Sequence, residues 1–362
     1  MHTVSKMEHD DFPDGLKKSP KVVVVGAGVN GLACAVCIQK CCPEADVQIV
    51  AEKWSPDTTS EVSAGFWGPY AVCDTEPEVI RQHSTATHDY LVGLAMSSIA
   101  GEVGVQLISG YYLYHDVAEE DEIVKFAADG YRKLTPKELA RFPMAKSGYF
   151  HTTVQVDVTP YLQWLMRRFA EKGGQVHTRK VSSLSEFAGQ FDLVINCSGL
   201  GAGALLKDDQ IYPTRGQVWR VNAPWIKHFY MFKPQPGQDY TYILPGVKYT
   251  VVGGTGQVGD WSTDINEQDS VDIWRRATNL LPSLALATPV KVGAGLRPTR
   301  TQLRLETEVM NVQDQQLKVV HNYGHGGAGV TLHWGCAVEA TKMALELLNY
   351  STKPVQQVRP RL

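Results

Sequence analysis

The stretch Lys21-Val22-Val23-Val24-Val25-Gly26-Ala27-Gly28-Val29-Asn30-Gly31 decides the fold. Its run of β-branched residues suits a short central strand of a parallel sheet, buried on both faces. A glycine turn follows at once. Behind it a helix is expected from about Leu32, with Leu32, Ala35, Val36 and Ile38 on one face and Pro43 marking its end. Asp46-Val47-Gln48-Ile49-Val50-Ala51 then reads as a second strand that ends at Glu52. Strand, glycine turn, helix and strand make the βαβ unit of a dinucleotide fold. A G-x-G-x-x-G pattern alone is weak; between a strand and a helix it carries weight. Gly26 permits the tight turn, Gly28 lets a pyrophosphate approach the backbone, and Gly31 lets helix and strand pack closely. Around Val29 and Asn30 the helix start offers free N–H groups and the positive end of its dipole. Glu52 lies 21 residues past Gly31. A carboxylate there accepts hydrogen bonds from ribose hydroxyls and repels a 2′-phosphate, which favours FAD or NAD over NADP.

Working outward, 362 residues suggest two domains or one large one. A hydrophobic share of 43% against 20% charged excludes global disorder. Lys+Arg is 35 and Asp+Glu 38, with no basic run, so nucleic acid is not an expected partner. No apolar stretch approaches the ~18 residues of a membrane span. Met1 to Lys18 is polar and reads as a tail rather than a secretory signal. Seven cysteines, an odd number, suit reduced thiols inside a cell. Cys34 and Cys37 form a CxxC on the expected helix; with no second ligand pair at metal spacing they read as core thiols, and no metal is expected.

Further elements follow from pattern. Glu78 to Ile99 reads as helix, and Val105–Ile108 and Tyr111–Tyr114 as two strands. Thr135 and Glu138 form a capping box at a helix start. Thr159-Pro160-Tyr161 opens a helix to Glu171, and Phe191 to Asn196 is a strand followed by Ser198-Gly199. Gln217–Val221, Tyr240–Leu244 and Tyr249–Gly253 read as an antiparallel sheet, and Val271–Leu280 as helix. Gly324-His325-Gly326-Gly327-Ala328-Gly329 is a second glycine turn, with a helix expected from Val330 to Leu348. The first motif does not separate FAD from NAD, and this second turn tilts the reading to FAD. A reduced flavin gathers negative charge that a second helix N-terminus stabilises, whereas a nicotinamide becomes neutral on reduction. The expected fold is α/β: a Rossmann-like FAD-binding domain (21–75, 150–210 and 290–350) with a second, largely antiparallel β substrate domain (76–149 and 211–289). Residues 1–20 and 351–362 are expected to be tails.

Several segments make the chain resemble the D-amino-acid oxidase and D-aspartate oxidase family of FAD enzymes. They are Val24–Val29, Pro56-Asp57-Thr58-Thr59-Ser60, Ala64-Gly65, Asn196-Cys197-Ser198-Gly199, Arg215-Gly216-Gln217, Gly295-Leu296-Arg297-Pro298 and His321-Asn322-Tyr323-Gly324-His325-Gly326-Gly327. The resemblance implies roles residue by residue. Glu52 and Lys53 would meet the adenosine ribose and its surroundings, Thr58, Thr59 and Ser60 the diphosphate, and Gly65 and Phe66 the flavin ring. Val181 would lie near the adenine and Ser198 at a turn contact. Gly326, Gly327, Ala328, Gly329, Val330 and Thr331 would form the second flavin loop. Tyr242 and Arg297 match a clamp for the substrate carboxylate, for which a guanidinium's paired donors and a phenol are suited. Gly327 matches a carbonyl that receives the substrate amine.

The reaction so implied is hydride transfer from the α-carbon to flavin N5. It gives an imino acid that hydrolyses to a 2-oxo acid and ammonia, while oxygen reoxidises the flavin to hydrogen peroxide. No side chain is needed as acid or base. On substrate choice the segments divide. Pro56–Ser60, Ser198–Gly201 and Gly253-Gly254-Thr255 are similar to the D-aspartate branch; Trp67-Gly68-Pro69-Tyr70, Asn322 and Gly326-Gly327 are nearer the neutral branch. The aspartate branch has an arginine after Gly254-Thr255 where this chain has Gly256, which tilts the reading to neutral or broad D-amino acids. Lys233 could supply a charge for a D-aspartate or D-glutamate enzyme. The neutral branch's aromatic lid is matched by Gln238, with Tyr240 as a substitute. Members usually reside in peroxisomes; Pro360-Arg361-Leu362 departs from the usual signal at its first place, leaving the cytoplasm as the other location. The rival readings are an NAD-dependent dehydrogenase and a glycine- or sarcosine-type amine oxidase. The oligomeric state is not legible.

Overall fold

The computed structural model describes residues 19–117 and 120–350. The expected terminal tails, apart from 19 and 20, and the C-terminal tripeptide lie outside the described residues. Fourteen strands join one mixed sheet. In chain order they are β1 (Lys21–Val25), β2 (Asp46–Ala51), β3 (Val105–Tyr114), β4 (Asp129–Lys133), β5 (Ser147–Val156), β6 (Gln175–Thr178), β7 (Leu193–Asn196), β8 (Ile211–Asn222), β9 (Phe229–Lys233), β10 (Thr241–Pro245), β11 (Thr250–Gly253), β12 (Gln257–Val258), β13 (Thr288–Val312) and β14 (Gln315–His325). Across the sheet the order is β4-β5-β3-β9-β10-β11-β8-β13-β14-β7-β1-β2-β6, with β12 beside β8.

At one end β14, β7, β1, β2 and β6 run parallel. The valines of β1 are buried on both sides, as a central parallel strand requires. Val22 and Val24 meet the helix Val29–Cys41, whereas Val23 and Val25 pack with Leu184, Phe187 and Leu317. Cys34 and Cys37 lie buried on that helix as free thiols. The helix begins at Val29, three residues before the expected start, because it grows directly from the turn at Gly28.

At the other end the strands are mostly antiparallel. The two expected strands 105–108 and 111–114 are one, β3. Gly110 does not break it: a β-carbon there would fall 2.1 Å from Phe229 O, so the glycine allows close approach of β9, which pairs with β3 in parallel. The helix expected over Glu78–Ile99 spans Pro77–Ala95. The capping box of Thr135 and Glu138 is present.

The joint between the two halves is β13, which the pattern did not reveal. Its first half pairs with β8 and its second with β14, with the register shifting between Thr299 and Arg304. Thr299 lies opposite His325, the last residue of β14 before the second glycine turn. Arg297 stands two residues earlier on the same strand, so it is carried to the turn from which the helix Gly329–Leu347 starts.

Candidate active site

The first glycine turn sits at the carboxyl ends of parallel strands, where ligands of such sheets bind. Its glycines are required by contact. A β-carbon at Gly26 would fall 2.4 Å from Cys197 O, and one at Gly31 2.0 Å from Gly26 O. Ser60, from the hydroxyl run, lies against this turn: its Oγ accepts the N–H of Val29 at 3.1 Å, and a β-carbon at Gly28 would sit 3.2 Å from it. Thr58 precedes the short helix Thr59–Val62 without a side-chain capping hydrogen bond. Asn30 Oδ1, Thr58 Oγ1 and Ser198 Oγ are buried without partners among the described residues. Orphaned polar atoms beside a backbone cradle fit the phosphates and hydroxyls of FAD.

Glu52 and Lys53 are exposed just beyond β2. Ala51 O accepts the N–H of Arg179, and Val181 packs half-buried beside Val50, so Glu52 and Val181 share one end of the sheet. Gly65, with φ 71°, presses on Val156: a β-carbon would lie 1.9 Å from its carbonyl oxygen. Phe66 turns its ring edge-on to Phe229, 4.8 Å between centroids, and packs with Met231 and Tyr242.

The second turn closes onto the first. A β-carbon at Gly329 would lie 3.9 Å from Asn30 Nδ2, so the starts of the two helices are neighbours. Gly326, with φ 54°, packs on Ala71, whose carbonyl accepts the N–H of Gly327 at 3.4 Å. Ala328 is buried, and Val330 packs in the core with Trp334. Thr331 Oγ1 donates to Gly68 O at 3.1 Å and accepts from Gly68 N at 3.3 Å. His325, fully enclosed before this turn, is held neutral: burial lowers it to about 3, helped by His83 and His333.

The clamp residues meet beside this turn. Arg297 donates from Nη1 to Thr255 O at 3.0 Å and faces the ring of Tyr70 at 5.7 Å. It has no carboxylate partner among the described residues. Tyr242 lies beside it, and burial pushes the phenol up against the guanidinium's pull, so Tyr242 stays a protonated donor. Glycines seat both side chains. A β-carbon at Gly216 would lie 2.4 Å from Arg297 Nη2, and one at Gly254 2.5 Å from Tyr242 Oη. Tyr70 covers the clamp: it stands edge-on to Tyr240 at 5.4 Å, and a β-carbon on Gly327 would touch its ring at 2.4 Å.

Lys233 ends β9 exposed, and its carbonyl accepts the N–H of His115. Among the described residues no hydrogen bond or ion pair joins its ammonium to Tyr242 or Arg297. Gln238 is exposed, while Tyr240 turns inward to Tyr70. Sequence reasoning missed the parts played by Tyr70, Gly216, Gly254 and Arg276. Arg276 donates to Tyr240 O and Thr241 Oγ1 at 2.9 Å and to Gly254 O at 2.9 Å, fixing the loop before Tyr242. No local signal marks it; Gly216 and Gly254 do stand in the motifs quoted above.

Two helix starts lie close together beside a guanidinium that has no carboxylate partner among the described residues, an arrangement that can receive anionic groups. A family model described as FAD dependent oxidoreductase matches residues 21–343, and the chain belongs to that family. It is 41% identical to a human D-aspartate oxidase, covering 92% of this chain and 97% of that protein. It is 36% identical to a D-amino-acid oxidase of Rubrobacter xylanophilus, covering 90% and 95%. A solved glycine oxidase from Geobacillus kaustophilus shares the fold, with a TM-score of 0.71 at 18% identity over 93% of this chain and 96% of that one.

Proposed function

We propose that the protein is an FAD-dependent oxidase that deaminates D-amino acids with oxygen, giving a 2-oxo acid, ammonia and hydrogen peroxide. The observation that carries the proposal is the open pair Arg297–Tyr242 beside the second glycine turn. FAD, when bound, supplies a two-electron acceptor for the α-hydrogen with its electron pair, and a route for those electrons to oxygen. This chain's residues do the rest by placement. Arg297 and Tyr242 hold the α-carboxylate with charge-assisted and neutral donors. The carbonyl of Gly327 takes an N–H of the neutral amine. Tyr70 covers the clamp, which excludes water and strengthens those contacts. With carboxylate and amine both fixed, only one enantiomer directs its α-hydrogen to the cleft. No side chain is assigned as acid or base.

Neutral or broad D-amino acids are the favoured substrates, since Gly256 brings no cation to the site. The second reading, a D-aspartate or D-glutamate enzyme, draws on the human relative and would need Lys233 to turn inward. A glycine- or sarcosine-type oxidase shares the fold, and an NAD-dependent dehydrogenase would lack flavin colour. Peroxide release over D- and L-amino acids, glycine and sarcosine tests the proposal. Peroxide from D-amino acids alone is expected; turnover of sarcosine alone, or a colourless holoprotein, overturns it. Among the described residues no helix is long and apolar enough to cross a membrane. Peroxisomal import is the finer part of this reading; unchanged location after deleting residues 360–362 would remove it.

A further inference from the structure

We propose that Asp239 selects substrate side chains at this site, favouring D-amino acids with a cationic side chain over acidic ones. The inference rests on the oxidase reading above and deepens it.

Next to the clamp the wall is open at Gly256. A β-carbon there would lie 3.4 Å from Tyr70 Oη and 3.6 Å from Asp239 Oδ1, with no other side chain or backbone atom within 4 Å. Tyr70 is the ring that faces Arg297, so the opening adjoins the place where the substrate carboxylate is held. A side chain leaving the α-carbon past Tyr70 meets Gly256 and then Asp239.

Asp239 is held in position. Its Oδ1 accepts the N–H of Gly256 at 2.9 Å, and its backbone carbonyl accepts Arg276 Nη1 at 3.3 Å. Its carboxylate is half-buried and makes no ion pair among the described residues. Burial raises its carboxyl, and Arg276 and Arg297 pull it back down without pairing with it among the described residues. Arg276 binds Asp272 through Nε at 2.7 Å and spends its other donors on Tyr240, Thr241 and Gly254. Arg297 faces the substrate carboxylate. Asp269, a second carboxylate in the neighbourhood besides Asp272, is paired with Arg215 at 2.7 Å. A partly desolvated carboxylate that two arginines stabilise only from a distance gains from a cation in direct contact, and an ammonium or guanidinium from the substrate supplies one. An acidic side chain in the same opening meets like charge and is discriminated against.

The test uses the holoenzyme and two readouts. In turnover, kcat/KM for D-arginine and D-lysine is expected to exceed that for D-aspartate by about tenfold or more, as a close charge pair warrants. Asp239→Asn keeps an oxygen for the Gly256 N–H. It is expected to lower kcat/KM for D-arginine by about tenfold while changing D-alanine by no more than about threefold. In calorimetry, 4-guanidinobutyrate, which has no α-amine to be oxidised, is expected to bind tighter than butyrate to the wild-type protein and equally to Asp239→Asn. Gly256→Arg, which fills the opening with a cation, is expected to shift preference towards D-aspartate. A wild-type preference for D-aspartate, or equal binding of 4-guanidinobutyrate and butyrate, overturns the role of Asp239. Failure to oxidise any D-amino acid instead overturns the oxidase reading, and the calorimetric comparison of the wild-type protein still decides the side-chain opening.

Discussion

The two ends of the cleft recognise their ligands by different means. The nucleotide end is built mostly from backbone: the glycines and helix start of one βαβ unit, with a short hydroxyl run just after it and the second glycine turn. The substrate end is built from residues that three separate strands and a loop bring together. Arg297 on β13, Tyr242 on β10, Gly216 on β8 and Gly254 after β11 come from distant parts of the chain. Two arginines in adjoining strands show what this costs in legibility. Arg215 on β8, opposite Leu296, is 2% exposed and closed off by Asp269, Gln257, Gln217 and two carbonyls. Arg297, one residue along β13, is half-buried and pairs with no carboxylate among the described residues. The same side chain is a structural hub in one place and an anion receptor in the other, and only its neighbours decide which.

Replacing each arginine by methionine separates the two roles. Arg297→Met is expected to lower kcat/KM for D-alanine on the order of 10²- to 10³-fold, with the flavin spectrum and melting temperature near wild type. Arg215→Met leaves half-buried Asp269 with Gln257 but without its cation and is expected to cost about 3 kcal/mol of stability, read by denaturant unfolding. If both variants lose stability alike, the contrast is wrong.

A smaller effect is expected from Gly254→Ala. The added methyl would press on Tyr242 Oη, displacing the phenol while Arg276 still holds the loop. KM for a D-amino acid is expected to rise about tenfold, with flavin content unchanged. An unchanged KM would mean that Tyr242 does not share the carboxylate.

A further effect concerns three buried histidines, His151, His325 and His333. Burial lowers His325 to about 3 and His151 and His333 to about 4. His333 fits a neutral ring, with Nδ1 on Val330 O and Nε2 facing the Tyr161 hydroxyl. All three are depressed below the unfolded value, so the unfolded chain binds more protons between about pH 6.5 and 4. Their stabilisation is present above pH 6.5 and fades as pH falls towards the folded values. By pH 5 the loss is on the order of 2 kcal/mol per histidine. The melting temperature is therefore expected to drop by several degrees between pH 7 and pH 5 in calorimetry, and a flat profile would contradict the burial.

Much of the nucleotide end was legible because its contacts are local. Gly26, Gly28 and Gly31 report a turn that three-dimensional contact then demands. The second turn was legible for the same reason. β13 was not: Thr288–Val312 is largely half-exposed or exposed, carries charged residues, and changes partner midway, so it shows no clean alternation. Gly110 invited a break in β3 where it serves close packing. Tyr70 and Asp239 meet only through long-range pairing of β8, β10 and β11, which no short spacing encodes.

The most direct measurement of the central claim is a crystal structure of the holoprotein with benzoate, a carboxylate that cannot be oxidised here. The account predicts its carboxylate within hydrogen-bonding distance of both Arg297 and Tyr242, beneath Tyr70 and beside Gly327. Benzoate bound away from that pair, or Arg297 turned out of the cleft, would contradict it.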